Sequence, residues 1–289
     1  MSEPLVSIAV ITYNSARYVQ ETLDSVFAQT YGYLELIISD DGSTDGTIDL
    51  CEKWLQGHTE RFVDIKIICS PSNTGTSANY NRAENACGGE WVLCLDGDDI
   101  LASDCISEYI QYVSKNQEAS VVFSRVKCFG DFESGLKQMS DFFNYDFFNW
   151  SIEQQLNYLS TERNCIPSGT FFFNLKKYRE LGMKNDERIP LLEDWPKWIN
   201  LLRKGVQFYF IDKVLVNYRM SESSLCTGEL YKKNYMKSYA AVFVYYQYKA
   251  FAKKHGKRLA IEKYLNSRVT MGKNTLLWRC LRKFYCLFQ

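Results

Sequence analysis

Leu93-Cys94-Leu95-Asp96-Gly97-Asp98-Asp99 is the stretch on which the reading of this chain turns. An apolar, strand-like run from Glu90 to Leu95 ends in three carboxylates within four residues. Unpaired charges do not belong inside a sheet. The cluster is therefore expected at the carboxyl end of a buried strand, where α/β folds gather their ligands. Like charges this close call for a cation. Oxygen-only ligands favour a hard one, Mg²⁺ or Mn²⁺, and such ions usually also hold phosphate. The alternative is a polar turn capping the next helix, with Asp99 or Ser103 as the cap.

Upstream, three more strand-like runs precede this one. Val6–Thr12 is apolar and ends in Thr12-Tyr13-Asn14-Ser15, a polar turn able to cap a helix from about Ala16 to Gln29. Leu34–Ser39 ends in Asp40-Asp41-Gly42-Ser43-Thr44-Asp45-Gly46, ahead of a helix over Thr47–Leu55. Ile65–Cys69 is followed by Asn73-Thr74-Gly75 and a helix over Thr76–Cys87. Strands alternating with helices predict an α/β fold with a doubly wound, mostly parallel, Rossmann-like sheet and right-handed crossovers. Parallel strands end along one edge, so Thr12, Asp40, Asp41, Asp96, Asp98 and Asp99 are expected to converge on one cleft. Asp41-x-Ser43-x-Asp45-Gly46 with Glu52 also fits a calcium-loop pattern. That loop needs an entering helix, and Leu36-Ile37-Ile38 reads as strand, so calcium is rejected here.

Downstream, a helix (Ser103–Asn116) and a strand (Ser120–Phe129) follow. Residues 130–165 show no clear period until a helix near Ile152–Leu159. They read either as a mobile acceptor-side loop or as a surface insertion. Phe171-Phe172-Phe173 is a strand, and Asn174 opens a helix through Leu181. Glu193-Asp194-Trp195-Pro196 opens another through Lys204, with Asp194 near its N-terminus. Asp194 is either a cap or a carboxylate presented to the cleft as a base. Val206–Ile211 and Val214–Val216 read as short strands ending at Tyr218-Arg219.

The whole chain is neutral, with 34 basic and 34 acidic side chains, but the balance is uneven. Residues 225–289 hold fourteen Lys and Arg against two acids, Glu229 and Glu262, a balance of +12. The first 224 residues therefore carry −12, twenty basic against thirty-two acidic. Such asymmetry points to a polyanionic partner for the tail. Its helices mix basic residues with aromatic ones, which suits an anionic membrane surface. Nucleic acid is a rival polyanion without a recognition motif to support it. Alternatively, the apolar stripes pack on the preceding domain or on a second subunit. No apolar run reaches membrane-spanning length and no signal peptide precedes Val6. The ten cysteines show no zinc spacing, and Cys51, Cys69, Cys87 and Cys94 read as reduced, buried thiols of a cytosolic protein.

Together these motifs resemble an inverting, family 2 glycosyltransferase of the GT-A fold. Thr12-Tyr13-Asn14 opens the match. Ser25-Val26-Phe27-x-Gln29-Thr30-Tyr31 and Glu35-Leu36-Ile37-Ile38-Ser39-Asp40-Asp41-Gly42-Ser43-Thr44-Asp45 extend it. Asn73-x-Gly75, Asn81, Gly89-Glu90, Leu95–Asp99, Glu193-Asp194-Trp195 and Tyr218-Arg219 complete it. The likeness covers roughly residues 4–224, which it makes a catalytic domain, with 225–289 as a helical appendage. Tyr80-Asn81 departs from the Arg-Asn of many members. The resemblance implies a nucleoside pocket lined by Thr12, Tyr13 and Asn14, with Asn73, Asn81 and Arg219 also on the nucleotide side. Asp41 or Asp40 would accept a hydrogen bond from uracil, and Asp96 would approach the ribose. Asp98 and Asp99 would hold Mn²⁺ or Mg²⁺, and Asp194 would be the general base. Ser168, Gly169, Glu193 and Trp195 would face the acceptor, a glycan or lipid-linked saccharide, at the inner face of the plasma membrane. A nucleotidyltransferase would show a Gly-rich basic phosphate loop after the first strand, and Thr12–Ser15 lacks one. A non-catalytic nucleotide-sugar binding or scaffold protein is the rival from another class.

Overall fold

The computed structural model describes residues 3–131, 142–189, 191–220, 229–272 and 279–281. Eight strands among them form one sheet in the order β3-β2-β1-β4-β7-β6-β8-β5. These are β1 (Val6–Thr12), β2 (Leu34–Asp40), β3 (Asp64–Cys69), β4 (Trp91–Asp96), β5 (Ile100–Leu101), β6 (Val121–Phe129), β7 (Phe172–Asn174) and β8 (Tyr209–Arg219). β3, β2, β1 and β4 run parallel. β7 is antiparallel to both β4 and β6, and β5 to β8. The sheet is thus mixed, with its parallel half where the alternating pattern predicted it.

The alternation of side chains along each strand builds two cores. Val6, Ile8 and Val10 of β1 join Leu93 and Leu95 of β4 on one face. There they meet Val19, Leu23 and Val26 of α1 (Val19–Phe27), Trp54 of α2 (Thr47–Leu55) and Tyr109 of α4 (Cys105–Lys115). Ala9 and Ile11, with Val92 and Cys94, face the other way. They meet Tyr80 and Ala83 of α3 (Thr76–Ala86), Leu159 of α5 (Ile152–Thr161), Tyr178 of α6 (Leu175–Glu180) and Trp198 of α7 (Asp194–Arg203). Burying each such side chain contributes roughly 1.5–3 kcal/mol, which holds the three layers together.

Several local expectations change. The turn after β1 does not cap α1; Ser15 O instead accepts from Tyr18 N and Val19 N. Neither Asp99 nor Ser103 caps α4, whose N-cap position is Asp104. The two short strands read over 206–216 are one strand, β8, whose pairing with β6 slips beside Ser124 and Arg125. Cys69 is exposed, while Cys51, Cys87 and Cys94 are buried free thiols. Residues 132–141 of the expected acceptor-side loop lie outside the described residues. The remainder of that segment is packed: Phe147 and Phe148 are buried, and Ser151 and Gln154 form a capping box on α5.

The tail continues as α8 (Glu229–Val242), a π-helical stretch (Phe243–Gln247), α9 (Tyr248–His255) and α10 (Lys257–Thr270). Ala241 and Val242 belong to the same core as β4, with Tyr239 and Tyr246 packed against it. Phe243, Phe251 and Ala260 form a small cluster of their own. Part of the apolar surface of these helices thus faces protein, as in the packing alternative, while Met236 and Leu259 stay exposed. Among the described residues no helix is long and apolar enough to cross a membrane. Trp278, Phe284, Tyr285 and Phe288 lie outside them.

Candidate active site

The carboxyl ends of β1, β2 and β4 are side by side, with Thr12 in register with Asp40 and Ile11 with Asp96. Gly97 makes the join close: a Cβ there would stand 2.9 Å from Thr12 Cγ2 and 3.0 Å from Ser15 Oγ. The acids on this edge fall into two groups.

Asp40 and Asp41 brace loops. Asp40 accepts from Thr12 Oγ1 at 2.8 Å, Ser43 N at 2.8 Å and Ser43 Oγ at 2.5 Å. Asp41 accepts from Thr74 N, Thr74 Oγ1, Gly75 N and Arg82 Nη2 at 2.5–2.9 Å. Burial pushes the Asp41 carboxyl up, but Thr74, Arg82 and Gly75 together hold it below the usual carboxylate range. A carboxylate has about four acceptor positions. Those of Asp41 are filled by the protein itself, whereas Asp40 retains one. Asn14 joins the same loops: its N–H donates to Ser43 Oγ and its Oδ1 accepts from Thr44 N. It sits at φ 51, one of two non-glycine residues with positive φ among those described. Tyr13 beside it is 45% exposed, open to a ligand.

The second group is short of donors. Asp99 is buried; Oδ1 accepts from Arg219 N at 2.8 Å and Oδ2 has no partner. Gly169 abuts it, since a Cβ there would lie 3.4 Å from that oxygen. Burial, then Asp98 and Asp96, push the Asp99 carboxyl well up. Burial and Asp96 push Asp98 up to about 7, opposed by its own backbone N–H and the Arg219 charge. Asp96 is raised by burial against the hydrogen bond from Tyr80 OH, 2.7 Å from Oδ1. Glu193 is pushed up to about 8 by burial, Asp194 and Asp96. Asp194 begins α7, where the helix end favours an anion. Burial raises it, against donors Trp195 N at 2.7 Å and Asn164 Nδ2 at 2.5 Å. Leu192, just before this pair, is the other residue at positive φ, 71°. Such strain gathers where surrounding structure holds a working geometry.

Asp96 links the ends of this group, because its charge reaches Asp98 and Asp99 on one side and Glu193 on the other. Among the described residues no three His, Cys, Asp or Glu side chains form a ready metal cage. Two carboxylates, one with a bare buried oxygen, still fit a hard cation of the kind that completes its shell with water and phosphate.

Not every expected residue reaches this rim. Asn81 binds the 185–187 loop through both ends of its amide: Nδ2 donates to Asn185 O and Glu187 Oε1, and Oδ1 accepts from Asn185 N. Asn79, two residues earlier, is the one bonded to the strand ends, donating to Thr12 O and accepting from Ser39 Oγ. Trp195 is 2% exposed, with Nε1 bound to Leu159 O, so it is core rather than acceptor wall. Arg219 is a strut: Nε donates to Asp98 O, Nη2 donates to Glu21, and its guanidinium lies over Tyr18 and Phe129. Asn73 Oδ1 accepts from Gly75 N, shaping the loop that grips Asp41. Ser168 is half-buried in a 3₁₀ turn beside Gly169. Arg82, Asn164 and Lys197 were not anticipated, and of Tyr80 only its departure from the family pattern was. For Lys197 the available signal was a charged residue in the otherwise apolar run Trp195-Pro196-Lys197-Trp198-Ile199.

A mixed sheet with a parallel nucleotide half and carboxylates along its edge is the GT-A type of glycosyltransferase fold. The 1–349 fragment of Staphylococcus aureus TarS, solved with UDP-GlcNAc, superposes with a TM-score of 0.60 at 17% identity, covering 98% of this chain and 92% of that one. The Pyrobaculum calidifontis mannosyltransferase PcManGT, solved with GDP-Man and Mn²⁺, gives 0.57 at 14% identity over 99% and 85%. The profile of glycosyl transferase family 2 matches residues 7–181, and the chain belongs to that family. Among curated relatives, the putative teichuronic acid biosynthesis glycosyltransferase TuaG of Bacillus subtilis is 28% identical, over 78% of this chain and 83% of its own. Escherichia coli WfaP, named a UDP-Glc:alpha-D-GlcNAc-diphosphoundecaprenol beta-1,3-glucosyltransferase, is 27% identical over 78% and 81%. An uncharacterized glycosyltransferase of Haemophilus influenzae, 29% identical over 75% of this chain, is matched over 66% of its length. The protein is a glycosyltransferase.

Proposed function

We propose that the protein is a metal-dependent, inverting glycosyltransferase that moves a sugar from a UDP-sugar to a hydroxyl of a glycan or lipid-linked saccharide. The observation that carries this reading is the donor-poor carboxylate group running from Asp98 and Asp99 through Asp96 to Asp194. Asp98 and Asp99 would hold Mn²⁺ or Mg²⁺; when bound, the cation neutralises charge growing on the departing diphosphate. Thr12, Tyr13 and Asn14 frame the nucleoside, with Asp40 the better placed of the two acids to accept from a base. Asp194 takes the proton of the acceptor hydroxyl as that oxygen attacks the anomeric carbon, and one displacement inverts it. Asn164 and Trp195 N orient the carboxylate for this.

The UDP and UDP-GlcNAc complexes of TarS support a UDP donor, and PcManGT supports manganese. WfaP's named acceptor supports a lipid diphosphate. That acceptor, with the +12 tail, supports a cytoplasmic protein docked peripherally on anionic membrane. A screen of thermal stabilisation by UDP-, GDP- and dTDP-sugars in Mn²⁺ tests the donor. The proposal expects UDP-sugars to stabilise most, and slow metal-dependent release of UDP without acceptor. Release of pyrophosphate from a nucleoside triphosphate would instead mark a nucleotidyltransferase. Binding without any turnover would mark a scaffold.

A further inference from the structure

Five carboxylates crowd the second group, and two cations face them. Arg219 serves the Asp98–Asp99 end. At the other end stands Lys197, 3% exposed, in a wall of aromatic rings. Its ammonium is 3.0 Å from Glu84 Oε1 and lies over the rings of Tyr80, Phe171 and Trp198 at 5.1–5.6 Å. Glu84 is itself fixed by Tyr178 OH at 3.1 Å and Asn185 Nδ2 at 3.2 Å. The Tyr80 ring that Lys197 supports carries the hydroxyl bound to Asp96. Lys197 also follows Asp194 by three residues on α7, which puts both on one helix face.

A buried ion pair contributes little to stability against an apolar pair of the same volume. Fold stability alone therefore does not account for a lysine here. We propose that Lys197 is a positioning residue of the transfer site: anchored by Glu84 under Tyr80, its ammonium keeps Asp194 a charged base and holds the Tyr80 hydroxyl on Asp96. It touches no substrate and acts through those two side chains. Burial pulls the Lys197 ammonium down, but the charge and hydrogen bond of Glu84 outweigh it. The groups facing Asp194 are Lys197 and Glu193 of its own helix, the Asn164 amide and the Trp195 N–H. Those facing Lys197 are Glu84 and Tyr80 of α3, Cys94 and Asp96 of β4, and Glu193.

The inference rests on Asp194 as base, and the test separates the two. Full pH–rate profiles are measured for wild type, Lys197→Met, Lys197→Arg and the double variant Glu84→Leu/Lys197→Met. The double variant removes the pair together and guards against misfolding. Lys197→Met is expected to lower kcat about tenfold on the acid side of the profile with donor KM nearly unchanged. Its acid limb should move up by about one pH unit, which is the same tenfold. Lys197→Arg should restore most of the rate. The double variant should melt near wild type yet keep the displaced limb. A double variant with the wild-type profile would overturn the inference, since Lys197 would then merely neutralise Glu84. Asp194→Asn in parallel reports on the base: if it is inactive while every Lys197 variant is normal, only the inference fails.

Discussion

Asp40 and Asp41 stand on the same sheet edge as Asp96, Asp98 and Asp99, yet the fold treats the two sets in opposite ways. The first set is held by its own loops, with all four acceptor positions of Asp41 filled and three of those of Asp40. Asp41 receives four hydrogen bonds and its carboxyl is held low. The second set is starved. Asp99 keeps a bare buried oxygen, and Asp98 and Glu193 are held near neutrality. Loop-held carboxylates stabilise those loops; starved ones leave electrostatic work for a cation or a proton to complete.

Substitution should separate the two sets most sharply in turnover. Asp194→Asn and Asp98→Ala are each expected to lower transfer by about 10³-fold or more, in line with loss of a general base or a metal ligand. Steady-state rates with a matched donor and acceptor check this. Full activity of Asp194→Asn would remove it as base. The loop-held set should show itself in stability instead. Asp41→Ala strands the Arg82 guanidinium and the Thr74 and Gly75 N–H groups. Allowing for the partial exposure of Arg82, it should cost about 2–3 kcal/mol, or roughly 5–10 °C in Tm. An unchanged Tm would mean the four hydrogen bonds do not hold the loop.

A smaller effect follows from the raised carboxyls. A group whose folded pKa lies above its unfolded value binds more protons when folded, so it costs stability as pH rises between the two. For Asp98 and Glu193 that window runs from about 4 to about 7 or 8. Metal-free protein should therefore melt a few degrees higher at pH 5 than at pH 8, and saturating Mn²⁺ with UDP should erase the difference. Groups held low, such as Asp41, act below this window. A Tm that rises from pH 5 to 8 without metal would break the contrast. The smallest effect is expected in the tail. Reversing the exposed Lys249, Lys253 and Lys257 to Glu in the full chain should reduce sedimentation with anionic vesicles and leave transfer to a soluble acceptor unchanged. Equal sedimentation would end the membrane proposal.

The starved set was largely legible because its chemistry is local: an apolar strand running into Asp96-Gly97-Asp98-Asp99 has few other uses. What escaped is what other elements bring to it. Asn79 and Asn81 are two residues apart on α3, about 200° around the helix, so only one can face the sheet edge. Motif spacing favoured Asn81, and the fold turns Asn79 inward. Trp195 follows Asp194 by about 100° and points into the core for the same reason. Lys197 and Tyr80 meet across two helices, a contact no local pattern announces. The antiparallel β7 was equally hidden, since three phenylalanines show burial and not direction. The single strand β8 was masked by the polar Asp212-Lys213 at its pairing slip.

UDP binding measured by calorimetry, with and without Mn²⁺, bears most directly on the starved carboxylates as a cation site. Wild type and Asp194→Asn should each bind UDP about tenfold more tightly in Mn²⁺, a typical coupling between two ligands. Asp98→Ala should lose that gain while keeping its metal-free affinity. An undiminished gain in Asp98→Ala would place the cation elsewhere and contradict the account.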